Sequence, residues 1–154
     1  MGLSIYLACT VRGDRSAIAA LRALADALAR DGHTLLTTHL LADGVDTAEG
    51  ELTEGAVYAR DLEWLESCDV LIADASGSSY GVGFEVGYVL GRADRTSQRV
   101  LQFYRADRRA AISRLIVGNS HPRCRTFAYE DAEDLIAKVR ENLSGDRRQV
   151  TGDR

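Results

Sequence analysis

The run DVLIAD, residues 69–74, is the stretch of sequence from which the fold follows. Its four central residues are apolar without interruption, which is typical of a strand that helices cover on both faces. Helical patterns flank it, TEGAVYARDLEWLESC at 53–68 and GVGFEVGYVLGRA at 81–93. A fully buried strand between two helices predicts a parallel sheet, because parallel strands need such crossovers to connect them.

The same alternation continues in both directions from this run. Further strands are predicted at 4–10, 33–41, 99–105 and 124–129, and further helices at 15–32, 108–119 and 130–143. Gly32 ends the first of these helices, 42–51 is a polar loop, and the tail 144–154 is expected to be flexible. Strict alternation predicts a single α/β domain, residues 1–143, with a doubly wound five-stranded parallel sheet of the flavodoxin or Rossmann kind.

Composition and charge exclude several classes of protein. With 19 basic and 23 acidic side chains the net charge is −4, which offers no basic surface for a nucleic acid polymer. No apolar run approaches the roughly 20 residues that span a bilayer, and the N-terminus lacks the layout of a secretory signal. The three cysteines are Cys9, Cys68 and Cys124, without metal-ligand spacing. They predict buried free thiols in a cytoplasmic protein that needs no structural metal and no cofactor.

The segment SSYGVGFEVG, residues 78–87, follows the central strand and belongs to the expected site. Ligands of doubly wound folds bind beyond the carboxyl ends of the strands, where 6–13, 38–41 and 76–85 meet. The glycines do not form a dinucleotide fingerprint, because the third comes one position late for GxGxxG. Close packing of the helix on the sheet accounts for Gly81, Gly83, Gly87 and Gly91.

Three serines, Ser76, Ser78 and Ser79, precede this helix. Hydroxyls and free N–H groups at a helix N-terminus form a receptor for a phosphate group. From the serines alone, ordinary helix capping is the better explanation.

Two carboxylates suggest chemistry at a sugar carbon. Glu85 is expected in the first helical turn, where the helix dipole keeps a carboxylate ionised at neutral pH. Such a group can attack an anomeric carbon while a second carboxyl group transfers the proton. Asp61, on one helix face with Trp64, is the candidate partner, although a solvated surface acid is the commoner fate of a helical Asp. Tyr6 is either a core residue or one whose hydroxyl reaches the ligand. His39, expected at the end of the second strand, either contacts a base or is a satisfied surface residue.

In combination, these segments resemble the 2′-deoxynucleoside 5′-phosphate N-hydrolases, a branch of the nucleoside 2-deoxyribosyltransferase family. The resemblance covers most of residues 4–118, with an apparent short insertion at 94–98. It rests on four segments, IYLACTVRGDR (5–15), LTTHLLAD (36–43), ARDLEWLESCDVLIAD (59–74) and SSYGVGFEVG (78–87).

The resemblance implies three catalytic roles. Glu85 matches the nucleophile that forms a covalent deoxyribosyl 5-phosphate intermediate. Asp61 matches the general acid and base, and Tyr6 matches the tyrosine that orients the nucleophile and the sugar.

The resemblance also implies the binding residues and a homodimer with shared active sites. The phosphate-binding positions are Thr10, Ser79, Gly81 and Ser113, the last reaching in from the neighbouring subunit. The positions assigned to the sugar and base are Val11, Arg12, Gly13 and His39. Thr10 stands where these hydrolases usually carry serine, and Val11 is small and aliphatic as in those that prefer 2′-deoxy substrates.

One position implies hydrolysis of a monophosphate. Transferases of the family carry Asp six residues before the nucleophile, where it binds a free 5′-hydroxyl, and here that residue is Ser79. A carboxylate would repel a phosphate dianion, whereas a hydroxyl can donate to it. The alternatives are a base-exchanging transferase, an N-glycosidase of ribonucleotides such as CMP in a nucleoside-antibiotic pathway, and a non-catalytic nucleotide or flavin sensor.

Overall fold

A computed structural model describes residues 2–145 and contains one five-stranded parallel sheet. The strands are β1 Ser4–Ala8, β2 Thr34–Leu35, β3 Val70–Asp74, β4 Arg99–Arg105 and β5 Cys124–Tyr129. Their order is β2-β1-β3-β4-β5 and every neighbouring pair is parallel. This is the flavodoxin-like order, so the predicted fold is confirmed.

Helices connect the strands on both faces. They are α1 Ile18–Arg30, α2 Val45–Gly50, α3 Glu54–Ser67, α4 Tyr80–Leu90, α5 Arg114–Val117 and α6 Ala132–Gly145. The closing helix α6 includes the first two residues of the predicted tail, and the rest, 146–154, lies outside the described residues. Between residues 2 and 145, no helix has the length and apolar character needed to cross a membrane.

The side chains of β1 alternate between two cores. Ile5 and Leu7 pack in the core that contains α1 and α6, while Tyr6 and Ala8 pack in the core that contains α3 and α4. All five residues of β3 are buried, which confirms that the apolar run is covered on both faces. The three cysteines are free and buried, also as predicted.

Helix ends lie close to where local signals predicted them. Gly32 has φ +86, a conformation that favours glycine, and follows the last turn of α1. The Thr53 hydroxyl accepts from Ala56 N at 3.2 Å and caps α3. The Ser79 hydroxyl accepts from Val82 N at 3.4 Å and caps α4, so the serine loop does provide a helix cap.

The second predicted strand, 33–41, is wrong in most of its length. Only Thr34–Leu35 pair with β1, and Thr38–Leu41 form a 3₁₀ turn. The Thr37 hydroxyl accepts from Leu7 N at 2.9 Å and donates to Leu7 O at 2.7 Å. Because this one side chain satisfies the backbone groups that a longer edge strand would pair, the main chain is able to turn away from the sheet.

Two other segments differ from the prediction. The polar loop expected at 42–51 contains the short helix α2. The helix expected at 108–119 is divided into a 3₁₀ helix, Ala106–Ala111, and α5, because Ile112 and Ser113 between them take backbone angles that are not helical. Ile112 is buried, and its packing with Ala75 and Tyr104 holds this break against the sheet.

The packing role expected for the glycines of α4 is also wrong. A Cβ atom added at Gly83 or Gly87 would meet nothing within 4 Å. The face of α4 that lies on the sheet consists instead of Val82, Val86 and Val89, which are all buried. The glycines are exposed because they lie on the opposite side of the helix.

Candidate active site

A cleft lies beyond the carboxyl ends of β1 and β3, where the strand order reverses. It consists of two adjoining cavities of about 500 and 430 Å³. Seven residues line both and mark their junction, namely Val11, Arg12, Glu49, Val57, Asp61, Gly81 and Glu85. The switch point of a doubly wound sheet is the place where such folds bind ligands.

The smaller cavity lies against the loops that follow β1 and β3. The buried Thr10 hydroxyl accepts from Gly13 N at 2.9 Å. A Cβ at Gly13 would approach Thr10 Oγ1 to 2.6 Å, so this turn requires glycine. Ser79 and Gly81 face the same cavity from the start of α4. Hydroxyls and helix N–H groups together form a polar end suited to a phosphate.

The three serines of the second loop occupy different environments. Ser76 is buried and its hydroxyl accepts from Arg105 N at 2.9 Å, which gives it a structural position outside both cavities. Ser78 lines the smaller cavity with φ +52, a left-handed conformation that costs free energy for a residue other than glycine. Ser79 lines the same cavity in addition to capping α4.

Glu85 and Tyr6 are hydrogen-bonded. Tyr6 is fully buried in β1, and its hydroxyl donates to Glu85 Oε1 at 2.6 Å. Burial and the charge of Glu85 raise the pKa of Tyr6 well above its usual range, so the phenol keeps its proton. No hydrogen bond to Glu85 Oε2 occurs within the described part of the chain, so this oxygen remains available to a ligand in the cleft.

The expectation that Glu85 has a low pKa is wrong. Glu85 is the sixth residue of α4 and therefore lies in the second helical turn, beyond the strongest effect of the dipole. Its pKa is raised to about 7, because burial raises it, the Tyr6 hydrogen bond lowers it by less, and the charge of Asp61 raises it further. Burial is the largest of the three causes, so the carboxyl group titrates near neutral pH.

Asp61 lines both cavities from α3. Its side chain is 25% exposed, and its Oδ1 accepts from Arg60 Nε at 2.9 Å and from Arg60 Nη2 at 2.8 Å. Asp61 and Glu85 thus face one cleft from two helices, as a pair of carboxyl groups acting on one sugar would require.

His39 does not line either cavity and lies in the 3₁₀ turn rather than at a strand end. Its ring contacts Trp64 with centroids 5.4 Å apart, and its Nε2 lies 3.2 Å from Glu49 Oε1. Burial, and then the charge of Arg60, lower the pKa of His39. The structure places His39 behind Glu49, and not among the groups that face a ligand.

The larger cavity has an apolar end that the sequence did not reveal. Its lining includes Leu52, Val57, Tyr58 and Phe84, and the rings of Tyr58 and Phe84 are 6.4 Å apart. Aromatic faces suit the stacking of a planar base. The one sequence signal for this apolar end was the spacing of Val57 and Asp61, which lie four residues apart and therefore on one helix face.

The remaining predicted residues are Val11, Arg12 and Ser113. Val11 and Arg12 line the junction, and Arg12 Nε donates to the exposed Asp46 at 2.7 Å. Ser113 is exposed at the start of α5, makes no side-chain capping bond and lines neither cavity of its own chain. Among residues 2–145, no group of His, Cys, Asp and Glu side chains is arranged to hold a metal ion.

Comparison with known proteins gives consistent findings. The family model described as nucleoside 2-deoxyribosyltransferase matches residues 5–142. A protein of Thermofilum pendens, provisionally named 2′-deoxynucleoside 5′-phosphate N-hydrolase 1, is 37% identical over 93% of this chain and 96% of its own length. The human 5-hydroxymethyl-dUMP N-hydrolase is 32% identical over 84% of this chain and 74% of its own length. The structure of a Clostridium botulinum CMP N-glycosidase shares the fold with a TM-score of 0.66 at 15% identity, covering 91% of this chain and 99% of its own.

Proposed function

The chain belongs to the nucleoside 2-deoxyribosyltransferase family, and from this we propose that it hydrolyses the N-glycosidic bond of 2′-deoxynucleoside 5′-monophosphates. The products are the free base and 2-deoxyribose 5-phosphate. The observation that carries the proposal is the hydrogen-bonded pair of Tyr6 and Glu85, which faces Asp61 across a cleft with one polar and one apolar end. The names of the Thermofilum pendens and human relatives support the same substrate class.

In the first step, Glu85 attacks the anomeric carbon. Tyr6 holds Oε1, so the electron pair of Oε2 forms the bond to C1′ while the bond from C1′ to the base nitrogen breaks. The electron pair of the broken bond goes to the base, and Asp61, carrying a proton, transfers it to the departing base. A covalent glycosyl ester of Glu85 results.

In the second step, a water molecule releases the sugar. Asp61, now a carboxylate, takes a proton from this water as its oxygen attacks C1′. The ester bond breaks, its electron pair returns to Glu85, and the two carboxyl groups regain their starting states. Retention of configuration follows from the two successive displacements.

The substrate's phosphate lies, in this proposal, against Thr10, Ser79 and Gly81 at the polar end of the cleft. The Ser79 hydroxyl accepts from Val82 N, which leaves its own proton available to a phosphate oxygen. Val11 and Gly13 lie beside the sugar, while Arg12 is able to exchange its exposed bond to Asp46 for the substrate. His39 supports Glu49 rather than contacting the base.

We expect the activity to rise with pH through about 7. The attacking group must be ionised, and the raised pKa of Glu85, about 7, leaves it mostly protonated below that pH. Because the Tyr6 hydrogen bond lowers this pKa, Tyr6→Phe should move the rising limb of kcat/KM to higher pH. Titrating kcat/KM of both enzymes with one substrate checks this, since ionisation of the substrate's phosphate affects both alike.

Tyr88→Phe is the matched control for Tyr6→Phe. Tyr88 also donates its phenol proton to a glutamate, Glu66, at 2.5 Å, but neither residue lines the cleft. The rise of kcat/KM with pH should be the same for Tyr88→Phe as for the unmodified enzyme. A rising limb centred near pH 4.5 in the unmodified enzyme would contradict the raised pKa of Glu85. If the curves of kcat/KM against pH coincided for Tyr6→Phe and the unmodified enzyme, the Tyr6 hydrogen bond would have no role in setting that pKa.

We also propose a homodimer in which Ser113 of one subunit completes the phosphate site of the other. Helices α4 and α5 expose large apolar side chains, with Tyr80 99%, Phe84 52% and Leu115 83% exposed. Tyr80 and Phe84 line the cleft. Exposed apolar groups of this size beside a cleft support a second copy of the chain as their cover.

Mixing an impaired variant, Ser113→Ala, with an inactive one, Glu85→Ala, should restore activity if Ser113 acts across the interface. Ser113→Ala should lower kcat/KM for a monophosphate by about tenfold, through loss of one phosphate contact. Glu85→Ala should be inactive. After subunit exchange in an equal mixture, half of the dimers contain one complete site, so the site-specific activity should reach roughly a quarter of the unmodified enzyme. A mixture no more active than its Ser113→Ala fraction would show that Ser113 does not serve a neighbour.

A cytoplasmic location is part of the proposal. The three free, buried thiols fit a reducing compartment. Fractionation of cells that express the protein at its natural level would check this.

Release of free base, measured by chromatography without any acceptor base, tests the proposed function. Each 2′-deoxynucleoside monophosphate is compared with its ribonucleotide and its unphosphorylated nucleoside. We expect release from the deoxynucleotides. Turnover of nucleosides only, or only when a second base is added, would identify a transferase instead. A bound ligand that is not consumed would identify a sensor.

A further inference from the structure

Arg60 joins Asp61 to a third carboxylate of the cleft, Glu49. Its Nε and Nη2 donate to Asp61 Oδ1 at 2.9 and 2.8 Å. Its Nη1 lies 3.0 Å from Glu49 Oε1, and its Nη2 donates to Glu49 Oε2 at 3.1 Å. The guanidinium also lies over the Trp64 ring, 5.0 Å from the centroid. All three charged side chains are at most 25% exposed.

This contact does not follow from helix geometry. Residues 60 and 61 are neighbours on α3, and side chains one position apart project in directions that do not meet. The Arg60 guanidinium nevertheless contacts both its chain neighbour Asp61 and Glu49, which lies on α2. A planar fork of five N–H donors can do this, whereas the single ammonium of a lysine cannot bind both groups in the same way.

Arg60 contacts two of the three carboxyl groups at the junction of the cavities. Glu49, Asp61 and Glu85 all line the junction of the two cavities. The lining also contains Arg12, but this side chain is 77% exposed and paired with Asp46. Among residues 2–145, Arg60 is therefore the cation that holds Glu49 and Asp61 together, and it does not itself line either cavity.

We propose that Arg60 is a positioning residue that fixes the Asp61 carboxyl group for proton transfer to the departing base, with Glu49 and Trp64 holding Arg60. The proposal rests on the proposed function. Two N–H donors occupy Oδ1, and within residues 2–145 no hydrogen bond to Oδ2 is found. Oδ2 is then the oxygen that carries the proton toward the base, in an orientation that the guanidinium determines.

A purely structural Arg60, tying α2 to α3, would have a different consequence. Loosening the contact between α2 and α3 would disturb substrate binding or the position of Glu85, and would slow base release from all substrates alike. Misplacing Asp61 slows the first step only for substrates whose leaving base needs the proton, whereas it slows the second step, in which Asp61 takes a proton from water, for every substrate. Single-turnover base release reports the first step alone, so substrates that differ only in this need separate the two roles in that measurement.

The test uses Arg60→Lys and a matched pair of substrates. If the unmodified enzyme accepts purines, the pair is 2′-deoxyguanosine 5′-monophosphate and its N7-methyl form, whose base departs neutral without added proton. If it accepts pyrimidines, the pair is 2′-deoxyuridine 5′-monophosphate and its 5-fluoro form, whose base is the more stable anion. In single turnover, we expect the rate of base release from the first member to fall by about 10–100-fold, because misplaced catalytic groups cost up to about 10². The rate of base release from the second member should fall several times less, with the substrate concentration that gives half the maximal rate little changed.

Arg92→Lys is the matched control. Arg92 likewise lies over an aromatic ring, Tyr88, at 5.1 Å and pairs with a glutamate, Glu66, at 2.9 Å. It lines neither cavity, so its substitution should leave both rates unchanged. The ratio of the two rates does not depend on how much of a variant is folded. If Arg60→Lys does not fold at all, Glu49→Gln weakens the same bridge from its other end and should shift the ratio in the same direction.

The outcomes are distinct. Selective loss on the substrate that needs a proton supports the positioning role. Equal loss on both members, or no loss on either, overturns it while the proposed function stands, because the unmodified enzyme is active in the same assay. An unmodified enzyme that releases no base from any monophosphate overturns the proposed function, and the positioning role falls with it.

Discussion

Glu85→Gln should lower kcat by roughly 10⁴–10⁶-fold, the range seen when a catalytic nucleophile is removed. The amide keeps the size of the carboxylate and can still accept from Tyr6, which donates to Oε1 at 2.6 Å in the unmodified protein. What it lacks is the ionised oxygen whose electron pair forms the bond to C1′. The loss is expected in kcat more than in KM, because the nucleophile acts on the reacting carbon and not on the phosphate or base.

Two measurements check this expectation. Single-turnover base release gives the rate of the first step, and mass spectrometry of acid-quenched samples detects the sugar phosphate attached to the peptide that contains Glu85. The adduct should appear in the unmodified enzyme and be absent from the variant. Glu66→Gln is the control, since Glu66 also accepts from a tyrosine but lines neither cavity. If Glu85→Gln kept even a tenth of the activity, the covalent mechanism would have to be abandoned.

Ser79→Asp should reverse the preference for phosphorylated substrates. A carboxylate at this position would face the phosphate dianion, and we expect kcat/KM for the monophosphate to fall by about 10²–10³-fold through repulsion and loss of a donor. Activity on the unphosphorylated nucleoside should rise, because a carboxylate can accept from a free 5′-hydroxyl. The ratio of the two values of kcat/KM measures the change.

The cap at α4 makes this substitution interpretable. Ser79 accepts from Val82 N at 3.4 Å, and Asp and Asn are as effective as Ser at a helix N-terminus. The variant should therefore fold with an unchanged or slightly higher Tm. Ser79→Asn is the matched control, with the same shape and cap but no charge, and should lose only a few-fold for the monophosphate. Equal losses in the Asp and Asn variants would show that charge at this position does not select the substrate.

The signals that predicted the fold are local. The apolar run of β3, the capping serine before α4 and the glycine that follows α1 each depend on a few neighbouring residues. Alternation of such elements leaves few parallel topologies, so the sheet could be derived from them. The second strand was mispredicted because its end depends on Thr37 binding to Leu7, 30 residues away, and no local pattern reports that contact.

In the candidate site, too, some features follow from local sequence and others depend on contacts between distant residues. The sequence alone determined which residue types stand after β1 and β3, and the family to which they belong, because both are properties of short segments. Only the tertiary structure decided that Tyr6 meets Glu85 across 79 residues, that Arg60 bridges Glu49 and Asp61, and that His39 stays outside the cleft. It also reversed the expected pKa of Glu85, because a helix position predicts the dipole, whereas burial depends on which distant side chains cover the carboxyl group.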